Sequence, residues 1–190
     1  HAGRRAAVIG AGIIGLTSAR LLQRRGFDVT IYAASLPPET TSNMSLASFT
    51  PTSSLVADGS RTPEWDAQFR RAVEIAYGEH QLLVGPRYGV SWLDEYFLTD
   101  SPGPARSRRG SEGGGSALLP ASVNPGREIL GPGEHPFASR YARRYPTIRF
   151  EPSIYLDALV RDVLDFGGRI EVRAFDAPSD LMSLPEMLIV

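Results

Sequence analysis

The segment that most constrains this chain is Gly10-Ala11-Gly12-Ile13-Ile14-Gly15. It follows directly on Ala6 to Ile9, a short apolar run that reads as a buried parallel strand because both of its faces are apolar. From Leu16 to Arg25 the pattern is helical, with Ile14, Ala19 and Leu22 in phase, Leu21 beside them, and Arg20, Gln23, Arg24 and Arg25 expected on the wet face. Gly26 is expected to close the helix in the left-handed conformation. Asp28 to Tyr32 is β-rich and reads as a second strand. Strand, glycine turn, helix and strand make one βαβ unit of the dinucleotide-binding kind. In such a unit Gly10 permits the tight turn, Gly12 lets backbone approach a diphosphate, and Gly15 lets the helix lie close to the strand. The N–H groups near Gly12, Ile13 and Ile14 then face phosphate oxygens, and the helix dipole adds to the attraction.

One part of that pattern is missing. An acidic residue that binds ribose is expected about twenty residues on, at the end of the second strand. The chain reads Tyr32-Ala33-Ala34-Ser35 there. Asp28 stands at the start of the strand, and Glu39 lies beyond Pro37-Pro38. Ser35 or backbone is left to meet the ribose hydroxyls. An unreplaced charge-assisted hydrogen bond weakens adenosine binding by about 1.5–3 kcal/mol. The segment from Ala33 to Pro63 has little regular pattern and inserts no short βα repeat. That favours FAD over NAD, because an elongated flavin needs wrapping by small side chains. Within it, Thr40-Thr41-Ser42-Asn43 is a polar run suited to capping a helix or binding an anion.

Composition removes several classes. Twenty basic and twenty-one acidic residues give a net charge of -1, which argues against broad phosphate neutralisation and so against a nucleic-acid partner. All twenty basic residues are arginine. There is no cysteine, so disulfides and thiolate-held metals are excluded, and His1, His80 and His135 are too widely spaced to suggest a metal site. No apolar run is long enough to span a membrane, and the glycine turn stands where a signal peptide would need its apolar region.

Further along, Thr62-Pro63-Glu64 reads as a helix start with Thr62 as cap, and Trp65, Phe69, Val73 and Ala76 make one face through to Tyr77. Tyr88 to Tyr96 reads as a strand. Ser101 to Gly115 holds no apolar residue larger than alanine and reads as an exposed mobile loop, with Arg106, Arg108 and Arg109 solvated rather than forming an anion site. Ala138 to Ile148 is mixed; Ser153 is a candidate cap for a helix over Ile154 to Phe166 that ends at Gly167-Gly168. Arg169 to Phe175 alternates as a strand, and Met187 to Val190 reads as a buried parallel strand. A sheet of this type continues beyond such a strand, so the chain is expected to be the N-terminal part of a longer polypeptide. Trp65, Phe69 and Trp92 are expected in the core, the pairs Arg24-Arg25, Arg70-Arg71 and Arg143-Arg144 on solvated faces, and His80 without a catalytic role.

The run Val8-Ile9-Gly10-Ala11-Gly12-Ile13-Ile14-Gly15-Leu16-Thr17-Ser18-Ala19 resembles the N-terminus of the D-amino-acid oxidase and D-aspartate oxidase family of flavoenzymes. Asp28 to Ala33, Thr40 to Asn43, Arg87-Tyr88-Gly89-Val90 and Ile154 to Leu159 are similar to segments of the same family. The likeness covers most of the chain and is weakest over Asp100 to Arg140; glycine oxidase and related deaminating oxidases are close rivals. It implies an α/β fold: a Rossmann-like FAD-binding domain with a parallel sheet, plus the beginning of a mixed-sheet substrate domain that this chain does not complete. It implies residues 1–60 as the βαβ unit and flavin-wrapping loop, 61–150 as helix and part of the substrate domain, and 151–190 as the return to the FAD-binding domain. It implies FAD as cofactor, a D-amino acid and dioxygen as substrates, and a 2-oxo acid, ammonia and hydrogen peroxide as products.

By the same resemblance Gly10, Gly12 and Gly15 form the pyrophosphate loop, and Thr40, Thr41 and Ser42 lie near pyrophosphate or the ribityl chain. Met44, Ser45, Leu46 and Ala47 fall where backbone approaches the flavin ring, and Arg173-Ala174 falls where backbone meets adenine. Ala34 and Ser35 replace the family's usual acidic residue and arginine. The catalytic residues are expected in a C-terminal part that nothing here matches, either the remainder of the same polypeptide or a companion fragment. Homodimer formation is left open, and the expected compartment is the cytoplasm, or the peroxisome for a eukaryotic protein. A non-enzymatic nucleotide-binding module and an NAD-dependent dehydrogenase stay open as alternatives.

Overall fold

The computed structural model describes residues 3–45, 47–53, 56–102, 118–120, 122–123 and 128–190. In chain order the regular elements are β1 (Arg4–Ile9), α1 (Ile13–Arg24), β2 (Phe27–Ala33), α2 (Pro63–Gln81), β3 (Val90–Thr99), β4 (Glu128–Leu130), β5 (Tyr141–Phe150), α3 (Pro152–Asp165), β6 (Arg169–Val172) and β7 (Leu188–Ile189). They divide into two compact units. One takes the residues up to Ala47, Gly85–Gly89 and Phe150–Val190; the other takes Ser48–Val84 and Val90–Arg149.

The first unit is built on a four-stranded sheet in the order β6-β2-β1-β7. All of its pairings are parallel, with Val8 opposite Ile31 and Ile31 opposite Ile170. Val8 and Ile31 are fully buried, as expected of a strand covered on both faces. Val8 points toward α1, where its Cγ1 would lie 3.5 Å from a Cβ on Gly15. By strand alternation Ala7 points to the other face, where it packs with Tyr32 and Leu184 under Phe175 and Leu181. Gly26 and Gly167 both take φ of +80° and close α1 and α3, so both glycine stops are found as expected.

Several local expectations change for one reason: α1 is covered on two sides, by β2 and by α3. The residues it buries are Leu16 and Ala19, whereas Ile14 is 80% exposed and Leu21 is also exposed. Arg20 and Gln23, expected on the wet face, turn into the seam with α3. A single apolar stripe cannot reveal a second, polar contact of this kind.

The cap of α3 is also corrected. Glu151 holds the cap position, Pro152 occupies the first turn, and Ser153 caps nothing. Proline's fixed φ and missing N–H suit that turn and start the helix ahead of the serine. β6 stops at Val172, short of Phe175. β7 pairs parallel to β1 as expected, but Leu188 and Ile189 are 36% and 39% exposed rather than buried. They lie on the edge strand of the sheet.

The second unit holds α2 and a three-stranded sheet in the order β3-β5-β4, with β4 and β5 antiparallel. Thr62 Oγ1 accepts the Trp65 N–H at 3.2 Å and Pro63 opens α2, as the sequence predicts. The side chains α2 buries are Val73 and Tyr77. Trp65 and Phe69 are half-buried and stack on each other at 5.4 Å, and Trp92, 42% exposed, meets Tyr77 edge-on. None of the three belongs to the fully buried core expected for them, since aromatic pairs can cover one another at a rim.

The segment read as mixed is the long strand β5, and β3 starts at Val90 rather than Tyr88. Arg143, expected on a solvated face, is buried at 6% exposure because β5 is the central strand; Arg144 remains at the surface and meets Glu128 at 2.7 Å. The expected loop over Ser101 to Gly115, with Arg106, Arg108 and Arg109, lies outside the described residues from 103 onward.

Candidate functional site

The glycine turn is drawn tight between β1 and α1. Gly10 donates its N–H to the Tyr32 carbonyl at 2.7 Å and adopts φ of +103°, a left-handed conformation open to glycine. A Cβ on Gly15 would run into the Gly10 carbonyl oxygen. The helix therefore passes so close to the turn that only glycine fits there. Gly12 is the cap residue of α1, extended and without a side chain to offer. Its role is filled from elsewhere: Ser42 Oγ accepts the Ile13 N–H at 3.0 Å. A Cβ on Gly12 would lie 2.9 Å from that same hydroxyl oxygen. Gly12, Ile13 and Ser42 thus converge on the first turn of α1, while the Ile14 side chain points to solvent.

The segment carrying Ser42 is a short 3-10 turn over Thr41–Met44. Thr40 is buried and donates its hydroxyl to Asn43 Oδ1 at 2.7 Å, and Ser45 donates to the Ser42 carbonyl at 2.9 Å. These bonds fold the segment on itself and aim Ser42 at α1. Thr41, Met44 and Ser45 are exposed. Ala47 uses its carbonyl to accept the Phe150 N–H at 2.8 Å. Leu46 lies outside the described residues. Of the polar run, then, the structure brings Ser42 to the glycine turn, and commits Thr40 to holding the segment together.

At the far end of β2, Ala34 and Ser35 are exposed, and no carboxylate stands at positions 33–35. Arg173 donates its N–H to the Ala33 carbonyl at 2.9 Å, which carries the β2–β6 alignment past the strand end and leaves Ala174 exposed. The Arg173 guanidinium lies 4.8 Å from the Phe175 ring centre and donates to Ser183 Oγ. Tyr32 donates its hydroxyl to Glu186 at 3.3 Å; burial, and then the nearby charges of Glu186 and Glu171, push its pKa up. Glu39, the substitute acid, is exposed.

The residue that sequence reasoning missed is Asp162. It is 3% exposed and receives Arg20 at 2.8 Å and the Tyr88 hydroxyl at 2.9 Å on Oδ2, and Arg87 at 3.1 Å on Oδ1. The available signal was an aspartate set between Leu159 and Val163 on an otherwise apolar helix face. Among the described residues no group of His, Asp and Glu could hold a metal ion, and no helix is long and apolar enough to cross a membrane.

Open space at the Gly10 turn, and a helix start that Gly15 lets pass close behind it, fit the diphosphate of a dinucleotide. With the parallel sheet this defines a dinucleotide-binding α/β protein. A family model described as "FAD dependent oxidoreductase" (DAO) matches residues 5–175, and the chain belongs to that family. The cofactor of that family is FAD.

Iminodiacetate oxidase from Chelativorans sp. BNC1 is similar in structure, with a TM-score of 0.59 and 19% identity, over 88% of this chain and 46% of that one. Glycine oxidase from Geobacillus kaustophilus has a TM-score of 0.58 and 18% identity, over 93% of this chain and 50% of that one. L-alpha-glycerophosphate oxidase from Mycoplasma pneumoniae, solved with FAD bound, has a TM-score of 0.59 and 12% identity, over 88% and 44%. At these identities the likeness is one of fold. The chain spans half or less of the length of these three proteins. No curated protein sequence matches it.

Proposed function

We propose that this chain is the cofactor-holding part of an oxidase that converts a D-amino acid, with water and dioxygen, into a 2-oxo acid, ammonia and hydrogen peroxide. The observation that carries the cofactor part is the convergence of Gly12, Ile13 and Ser42 on the first turn of α1. A hydroxyl that accepts the Ile13 N–H still has its own proton to donate to a phosphate oxygen. Ser42 would thus both cap α1 and hold the diphosphate, with Gly10, Gly12, Ile13, Ile14 and Gly15 supplying backbone around it.

Thr40 and Thr41 would brace that segment, and Met44, Ser45, Leu46 and Ala47 would pass the flavin ring. Ser35 and Ala174, both at the open end of β2, would lie at the adenosine. Bound FAD would supply the two-electron acceptor for the carbon–hydrogen bond broken at the amino-acid α-carbon. The parts of the substrate site not carried by these residues would come from further polypeptide, the remainder of the same chain or a companion fragment, in the cytoplasm.

The sequence runs that resemble D-amino-acid oxidases support this substrate class. Likeness to glycine oxidase supports a second reading, in which the amino acid is glycine. Native material purified from its source tests both. Intact mass and visible spectrum report companion polypeptide and flavin together. Hydrogen peroxide and 2-oxo acid are then assayed with D-amino acids, L-amino acids and glycine. Peroxide from D-amino acids supports the first reading, peroxide from glycine alone supports the second, and bound flavin without either product overturns both.

A further inference from the structure

We infer that Asp162 is the positioning residue of the glycine-turn helix, holding α1 in the one placement that presents its first-turn amides to the cofactor. The inference rests on α1 being the diphosphate-binding helix. Asp162 sits in the middle of α3, and Arg20 and Gln23 reach it and its neighbour from one side of α1: Arg20 pairs with Asp162 at 2.8 Å, and Gln23 donates to the Val163 carbonyl at 2.8 Å. Asp162 also takes two donors from Gly85–Gly89, a segment that belongs to this unit although the chain on both sides of it does not. That segment is bounded by Gly85 and Gly89 at positive φ, and a Cβ on Gly89 would run into Ile154 of α3. One buried carboxylate therefore ties three pieces of chain that are distant in sequence.

A buried ion pair is a poor source of net stability, because desolvation offsets its attraction. What it adds is direction. Arg20 must lie at hydrogen-bond distance and angle from Oδ2, whereas apolar contacts tolerate sliding. Oδ2 is shared between Arg20 and Tyr88, so the α1 arm is braced by a hydroxyl, and burial followed by the Asp162 hydrogen bond raises the Tyr88 pKa. Arg87 approaches the other oxygen and is largely in solvent. The three arms are thus unequal: Arg20 and Tyr88 are half-buried, and Arg87 is exposed.

Removing Asp162 alone strands Arg20 in the seam and risks unfolding. The decisive variant is the double replacement Arg20→Leu with Asp162→Leu, which leaves no unpaired charge on α1. In the full native polypeptide it should melt near the wild-type temperature, exchange the amides of α1 faster than those of β2, and bind FAD on the order of tenfold more weakly, the equivalent of one misdirected hydrogen bond. Arg87→Leu should leave α1 exchange and FAD affinity unchanged. Wild-type exchange and affinity in the double variant overturn the inference, as does an equal effect from Arg87→Leu. If α1 exchange responds to the double variant while FAD affinity stays at the wild-type value, Asp162 holds α1 and the cofactor reading of α1 fails.

Discussion

Ser42 Oγ lies 3.0 Å from the backbone nitrogen of Ile13 and accepts its N–H, so a residue from a distant loop caps the helix that the glycine turn opens. Helices are usually capped by their own preceding residue, and here that residue is Gly12. Ser42→Ala should lower stability by about 1 kcal/mol as a lost cap. It should also weaken FAD binding about fivefold through one missing hydrogen bond. Chemical denaturation and a flavin-fluorescence titration measure the two effects separately. A stability loss with full FAD affinity would restrict Ser42 to the cap.

Gly12 and Ser42 compete for the same space. Gly12→Ala puts a Cβ 2.9 Å from Ser42 Oγ and 3.9 Å from its Cβ, so the clash is with the hydroxyl alone. Gly12→Ala should destabilise by about 1–3 kcal/mol through overpacking. In the Gly12→Ala/Ser42→Ala double variant that oxygen is gone, and the total loss should be smaller than the sum of the singles. Strict additivity in denaturant midpoints would contradict the described contact.

Gly15 faces backbone rather than a side chain. The Gly10 carbonyl oxygen occupies the place of its Cβ, and backbone cannot rotate aside as a hydroxyl can. Gly15→Ala should therefore cost more than Gly12→Ala, about 3 kcal/mol or above. No second substitution at Ser42 should recover it. Thermal melts of the two alanine variants, side by side, decide the order.

His80 predicts an acid limb in the stability of the second unit. Burial holds its imidazole below the ordinary value of 6.5, and the Glu79 charge only partly offsets this. Its ring meets Phe49 edge-on at 5.3 Å. A folded pKa below the unfolded one means the unfolded chain binds more protons between the two values. The stabilisation from neutral His80 is therefore complete above pH 6.5 and is lost as pH falls through the folded value. Urea midpoints measured across that window should fall toward acid for the wild type and flatten for His80→Gln. A slope that survives the substitution would assign the effect to other groups.

The βαβ unit was legible in residues 6–32 because its signals are local. An apolar run, three glycines at fixed spacing and an alternating strand describe one stretch of chain. Thr62 and Pro63 were legible for the same reason. The edge position of β7 was not, because burial depends on how many strands flank an apolar run. The role of Ser42 was half legible: its residue type suits a cap or an anion, but the helix it caps starts far from it in sequence.

By itself the sequence determined the glycine turn and the stops at Gly26 and Gly167, since each follows from bond rotation and side-chain size within a few residues. Tertiary structure alone decided that Ser42 would serve α1, that Arg20 and Gln23 would turn half-buried into the seam with α3, and that Asp162 would join α1, α3 and the Gly85–Gly89 segment. Charges separated along the chain reveal no pairing until packing removes water from between them, and only then does a polar residue on a helix face become a fixed contact.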